Sequence, residues 1–149
     1  MEFPLPYRPE NGFEGLYGLE IVAASREEVR ATVEVRDELK QPFGLVHGGV
    51  YAALAESSAS IGTALVVAPE GKIAMGLANQ TSFLRPITQG TIHAVATSRH
   101  RGRTTWVWDV EIRDDDGRVC VLTRMTVAVR DAAAGRPHPD PGISPGSGS

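Results

Sequence analysis

Cysteine is almost absent. Cys120 stands alone in 149 residues, so no internal disulfide can form and a cysteine-based scaffold is excluded. Neither sign of charge dominates: 15 basic and 18 acidic side chains leave a net charge of −3. That balance gives no electrostatic footprint for a phosphate backbone, and nucleic acid is not an expected partner. Long hydrophobic runs are missing too. The longest apolar stretch, Ala59 to Ala68, is broken by small polar residues and falls short of the roughly 20 residues a bilayer-crossing helix needs, so no membrane span is expected. The opening MEFPLPYRPE has neither the basic start nor the apolar run of a signal peptide, and the expected location is the cytoplasm.

What is present is an ordinary globular composition, 42% hydrophobic and 22% charged, in a chain the size of one domain. Residues 1–10 carry three prolines and read as an N-terminal extension. Residues 132–149 turn to Pro, Gly and Ser and are expected to form a disordered tail. The folded domain is then 11–131. Within it, Arg30–Arg36 alternates apolar and polar side chains with period two, as a half-buried strand does. Thr91–Ser98, Thr105–Arg113 and Val119–Arg130 follow the same rule, the last two joined by the turn sequence Asp114-Asp115-Asp116-Gly117, and together they read as an antiparallel meander. Ile73–Phe83 is a further β-capable run. Between the first strand and these lies Ala-rich Gly49–Val67, where Val50, Leu54, Ile61 and Leu65 recur at helical spacing on one face, with Pro69-Glu70-Gly71 to stop it. The expected fold class is α+β, with an antiparallel sheet curled around one long central helix. Such a sheet leaves edges open, and pairing with a second copy is the expected remedy.

Chemistry concentrates in Gln41–Ser60, QPFGLVHGGVYAALAESSAS. Glu56 is the only charged side chain from Val50 to Val67, and its neighbours Ala52, Ala53, Ala55 and Ala59 are small enough for a ligand or a second subunit to approach. A satisfied residue in a subunit interface would account for the same pattern. Gly48 and Gly49 permit a tight turn and leave N–H groups free at the helix start, where the macrodipole also favours negative charge. A carbonyl oxygen held there would be polarised. Two glycines alone are a weak signal; His47, Gln41 and Glu56 around them add weight. Glu56 lies eight residues beyond Gly48, and a helical rise of about 1.5 Å per residue separates them by roughly 12 Å. Acting on one carbonyl, they must come from two helices, most simply those of two subunits about a twofold axis.

The segment GLVHGGVYAALAE, with SFLRP and TTWVWDVEIRDDDGR later, resembles the hotdog-fold acyl-CoA thioesterases, and within them the 4-hydroxybenzoyl-CoA thioesterase subgroup that uses Glu. The likeness runs from about Arg30 to Arg130. It implies a hotdog fold, dimers with a continuous sheet and usually a dimer of dimers. It further implies hydrolysis of an aryl- or arylacetyl-CoA, with coenzyme A as part of the substrate and no cofactor. By the same resemblance Glu56 is the carboxylate that attacks the thioester carbon or activates water, and Gly48 supplies the polarising N–H. His47 stands beside Gly48, Gln41 orients the carbonyl, and Ser60 replaces a helper hydroxyl that is Thr in the subgroup. Gly49 belongs to the substrate-binding turn. Arg85, Arg103 with Thr104, and Arg130 are the candidates for contacting coenzyme A, since guanidinium groups suit phosphate.

Other features take simpler readings. Trp106 and Trp108 alternate along a strand and should pack the sheet. His93, His100 and His138 lack the spacing of a metal site, and no metal is expected. Cys120 reads as a packed thiol. Two competing functions remain. A hotdog hydratase or dehydratase would need a positioned acid–base pair, and a non-catalytic acyl-CoA-binding module would leave Glu56 idle.

Overall fold

A computed structural model describes residues 5–133. After a six-residue helix α1 (Gly12–Tyr17) come strands β1 (Glu20–Ala24) and β2 (Glu28–Glu34), the long helix α2 (Gly48–Val67), and strands β3 (Lys72–Phe83), β4 (Thr91–Arg101), β5 (Thr105–Arg113) and β6 (Val119–Asp131). The strands form one sheet in the order β1-β2-β4-β5-β6-β3, and every neighbouring pair is antiparallel. The expected meander is β4-β5-β6, and the turn after Arg113 closes with Gly117 at φ 77°, a conformation that suits glycine. The expected α+β arrangement, one sheet around one long helix, is what the chain adopts. Residue 7 of the proline-rich start bridges to Ile21, extending the β1 edge. From residue 134 onward, the expected tail and His138 lie outside the described residues.

Alternation decides which face of each strand is buried. In β5, Trp106, Trp108, Val110 and Ile112 point to the core, while Val107, Asp109 and Glu111 face outward. The two indoles stack with centroids 6.2 Å apart, as sheet packing requires. Trp108 Nε1 donates to Thr63 Oγ1 at 2.9 Å, and that hydroxyl donates to the Ala59 carbonyl at 2.8 Å, so the one polar atom of the buried indole is satisfied by the helix. Cys120 is buried, and burial pushes its thiol pKa up, as a packed thiol requires.

The helix face that meets the sheet differs from the one its larger apolar residues suggested. Leu54 is fully buried, but Val50, Ile61 and Leu65 are only half-buried; the inner face is Tyr51, Leu54, Ala55, Ser58, Ala59, Gly62 and Thr63. The cause is closeness. A Cβ at Gly62 would lie 2.7 Å from Trp108 Cη2 and 2.7 Å from Val29 Cγ2, so only small side chains fit where the sheet wraps the helix. By length and composition the span Gly48–Glu70 could cross a membrane, but its apolar character is that of a core helix seated on this sheet.

β3 is an edge strand of twelve residues whose Met75, Leu77 and Phe83 are exposed. An apolar edge of that length is a pairing surface.

Gly62→Ala should overpack the helix–sheet contact and lower unfolding free energy by about 1–3 kcal/mol. Urea denaturation checks this; a midpoint equal to that of the parent would show that the contact has slack.

Candidate active site

The N-terminus of α2 is built by residues 41–49. His47 is the N-cap, and its Nδ1 accepts the N–H of Gly49 at 2.8 Å, while the N–H of Val50 turns back to the His47 carbonyl at 3.0 Å. With Nδ1 accepting, the neutral ring carries its proton on Nε2. Those two bonds leave the Gly48 N–H as the donor without an acceptor among the described residues, at the positive end of a twenty-residue helix. A Cβ at Gly48 would sit 2.9 Å from the Phe83 ring, so a larger residue there would have to displace that exposed side chain. Gln41 is fixed as well. Its Oε1 accepts the Phe43 N–H, which turns the amide NH₂ outward as a free donor.

These groups line one cavity of about 550 Å³ that holds Gln41, Gly48, Tyr51, Phe83 and Arg85. Two donors, Gln41 and the Gly48 N–H, therefore share a mostly apolar recess with a guanidinium at its rim. Tyr51 is buried beneath it, and burial raises the pKa of its hydroxyl, an effect the Ile87 main chain partly offsets.

Glu56 lies elsewhere. It lines a separate cavity of about 330 Å³ with Phe13, Ala53, Ser57 and Ser60. The structure thus puts Ser60 beside Glu56 and both apart from Gln41 and Gly48. Glu56 is exposed on the single chain, not buried, and its carboxylate has no hydrogen bond or ion pair among the described residues. The far wall is α1, absent from the sequence reading. Tyr17 donates to Ser57 Oγ at 2.8 Å, and burial pushes the Tyr17 hydroxyl far up in pKa, so it stays protonated as that donor. Phe13 lines this cavity and also the neighbouring one of about 470 Å³ that holds His47 and Gly49.

Among the described arginines, Arg85 and Arg103 alone engage no acceptor; the others are paired or, like Arg130, bonded to main chain. Arg103 and Thr104 sit in the β4–β5 turn, where Arg130 Nη1 donates to the Thr104 carbonyl at 2.9 Å. These three form a cluster at the Lys72 end of β3, whereas Arg85 follows its other end. A groove of about 620 Å³ lies on the outer sheet face, but its Arg99 and Arg124 are both spent on Asp109, whose carboxyl they hold below the usual carboxylate range. Among the described residues, no three His, Cys, Asp or Glu side chains converge as metal ligands would.

A free helix-terminal donor on one cavity and an unpaired carboxylate on another, over a sheet wrapped around one helix, can be compared with known proteins. Residues 43–121 match the thioesterase superfamily. The chain belongs to that family. It is similar to the 1,4-dihydroxy-2-naphthoyl-CoA hydrolase of Listeria monocytogenes, 35% identical over 119 residues that cover 80% of this chain and 96% of that one. Among solved structures it is similar to a thioesterase of Haemophilus influenzae, with 36% identity, a TM-score of 0.73 and coverage of 78% and 81% of the two chains. A thioesterase of Pseudomonas aeruginosa matches at 37% identity and a TM-score of 0.77, covering 80% of this chain and 86% of that one. The protein is a hotdog-fold thioester hydrolase, as the resemblance carried by GLVHGGVYAALAE, SFLRP and TTWVWDVEIRDDDGR implied.

Sequence reasoning about this thioesterase missed α1 with Phe13 and Tyr17, and it missed Gly76 and Asn79 on β3. An isolated glycine inside the strand-like run Ile73–Phe83 was the available signal, since such a glycine marks a bulge or a close approach.

His47→Ala should remove the helix cap and cost about 1 kcal/mol of stability, while His47→Asn should keep most of it. Thermal unfolding of the two variants checks this, and equal losses would mean that the cap bond contributes nothing.

Proposed function

We propose that this thioesterase hydrolyses aryl-CoA thioesters, with Glu56 of one protomer and the Gly48 N–H and Gln41 of another acting on the same carbonyl. The observation that carries the reading is the division of one chain into two half-sites. Gly48 and Glu56 are eight residues apart on one helix, roughly 12 Å along its axis, and they line different cavities. Neither half can run the reaction alone. The exposed apolar edge of β3 supplies the way to join them, because a twofold axis beside it pairs two β3 strands antiparallel and sets the two α2 helices side by side in opposite directions. The same operation brings the Arg85 end of one β3 toward the Lys72 end of its partner, and with it the cluster of Arg103, Thr104 and Arg130. The two unpaired guanidinium groups then flank one groove, as the phosphates of coenzyme A would require.

In the reaction, the thioester carbonyl oxygen lies against the Gly48 N–H and the Gln41 NH₂, which stabilise the charge that develops on it. Glu56 either takes the proton of a water that attacks the carbonyl carbon, or attacks that carbon itself to form a mixed anhydride that a water then hydrolyses, restoring the carboxylate; on either route the C–S bond breaks, coenzyme A leaves as the thiolate and takes up a proton, and the acid is the other product. Ser60, one turn beyond Glu56, orients water with its hydroxyl. An aromatic acyl group suits the apolar lining of Val46, Tyr51, Phe83 and Pro86, and the Listeria relative is named for a hydroxylated naphthoyl ester. Placement in the cytoplasm fits a substrate that carries coenzyme A.

Release of free thiol from 4-hydroxybenzoyl-, 1,4-dihydroxy-2-naphthoyl-, phenylacetyl- and medium-chain aliphatic CoA esters tests the proposal with wild type beside Glu56→Ala. Aryl esters should turn over fastest, and the variant should lose roughly 10²–10⁴-fold in rate. Preference for aliphatic esters would remove the aryl reading, and full activity in Glu56→Ala would remove the mechanism.

A further inference from the structure

Among the described residues the Glu56 carboxylate has no hydrogen bond and no ion pair, and on the single chain it is exposed. What it does touch is β3. A Cβ placed on Gly76 would lie 2.7 Å from Glu56 Oε1, 3.2 Å from Cδ and 3.5 Å from Cγ, and these three atoms of one side chain are the nearest heavy atoms to that point. The glycine is not there for its backbone. Its φ is not positive, so any residue could adopt its conformation, and no other neighbour crowds the position as closely. The register of β3 on β6 also shifts between Gly76 and Ala78, a bulge that alters the local path of the strand under Glu56. Three residues on, Asn79 Nδ2 donates at 3.0 Å to the Ala52 carbonyl, one turn before Glu56 on the helix. Asn79 is itself oriented by Thr81, whose hydroxyl donates to Asn79 Oδ1 at 2.7 Å and lies 2.9 Å from Thr123 Oγ1. The strand is thus tied to the helix at Ala52 and left bare at Gly76.

We propose that Gly76 is a positioning residue for Glu56: the space left by its missing side chain is the seat that sets where the carboxylate meets the thioester carbon. The proposal rests on Glu56 being the reacting group. A carboxylate kept free of hydrogen bonds stays nucleophilic, and a steric seat fixes its place without drawing on its lone pairs. Any side chain at residue 76 fills the seat and pushes the carboxylate off, while the fold has nothing to lose, since alanine suits a strand better than glycine does.

Gly76→Ala tests this by steady-state kinetics on the best aryl-CoA ester, with Glu56→Gln measured alongside. The variant should lose roughly 10–100-fold in kcat with KM within about twofold, because a misplacement near 1 Å acts on the chemical step. Its thermal midpoint should be equal to or above that of wild type. In the Glu56→Asp background, where the carboxylate is withdrawn by one methylene, the same substitution should cost less than about threefold in kcat. Unchanged kcat in Gly76→Ala overturns the proposal. So does an equal loss in the Glu56→Asp background, or a loss that follows unfolding, since either would place the damage in the strand rather than at the carboxylate. If Glu56→Gln keeps full activity, the catalytic reading of Glu56 fails, and that result is separate from any given by Gly76→Ala.

Discussion

Everything in this molecule follows from how closely one helix lies against one sheet. At Gly62 the helix backbone meets the Trp108 indole and Val29 with no room for a methyl group, and along the whole inner face the helix offers mostly Ala, Ser, Thr and Gly. Tyr51, Leu54 and Val67 are the exceptions that fill the core. Because the sheet wraps the helix, this contact sets where the α2 N-terminus and Glu56 lie relative to β3. The helix also keeps its two chemical groups apart, eight residues and roughly 12 Å along its axis. On the proposed mechanism, the same contact that stabilises the protomer leaves each chain with two half-sites.

Two kinds of restraint hold the groups to which the proposed reaction assigns a shared carbonyl. At the helix start, each competing hydrogen bond is already used: His47 takes Gly49, the His47 carbonyl takes Val50, and Phe43 occupies Gln41 Oε1. One main-chain N–H and one side-chain NH₂ remain, both on the same cavity. Around Glu56 the restraint is steric, with a bare glycine beneath and α1 beside it, braced by the Tyr17–Ser57 bond. Donors are held by bonds and the carboxylate by shape, which leaves each with its reactive capacity unspent.

The fold and the central segment were legible in the sequence for local reasons. Period-two alternation marked β4, β5 and β6, and the lone charge of an Ala-rich helix marked Glu56. The HGG turn marked Gly48 because a helix terminus is a local feature. Other elements were not legible. The helix α1 is six residues long and β1 only five, too short for a period to show, and both owe their place to contacts with α2 and β2. The inner face of α2 was misjudged because hydrophobic size predicts burial only where room exists, and at Gly62 it does not. The link between Gly76 and Glu56 spans twenty residues; a lone glycine in a strand-like run signals a close approach but not which side chain approaches it.

The claim on which the account stands is that one site draws on two chains, and subunit mixing tests it most directly. Glu56→Ala and Gln41→Ala proteins, each inactive or nearly so, are unfolded together, refolded and assayed for thiol release from an aryl-CoA ester. Random pairing makes half the dimers mixed, each with one intact site, so activity should return to about a quarter of the wild-type value. A mixture no more active than its two parents would contradict the account, because each site would then be complete within a single chain.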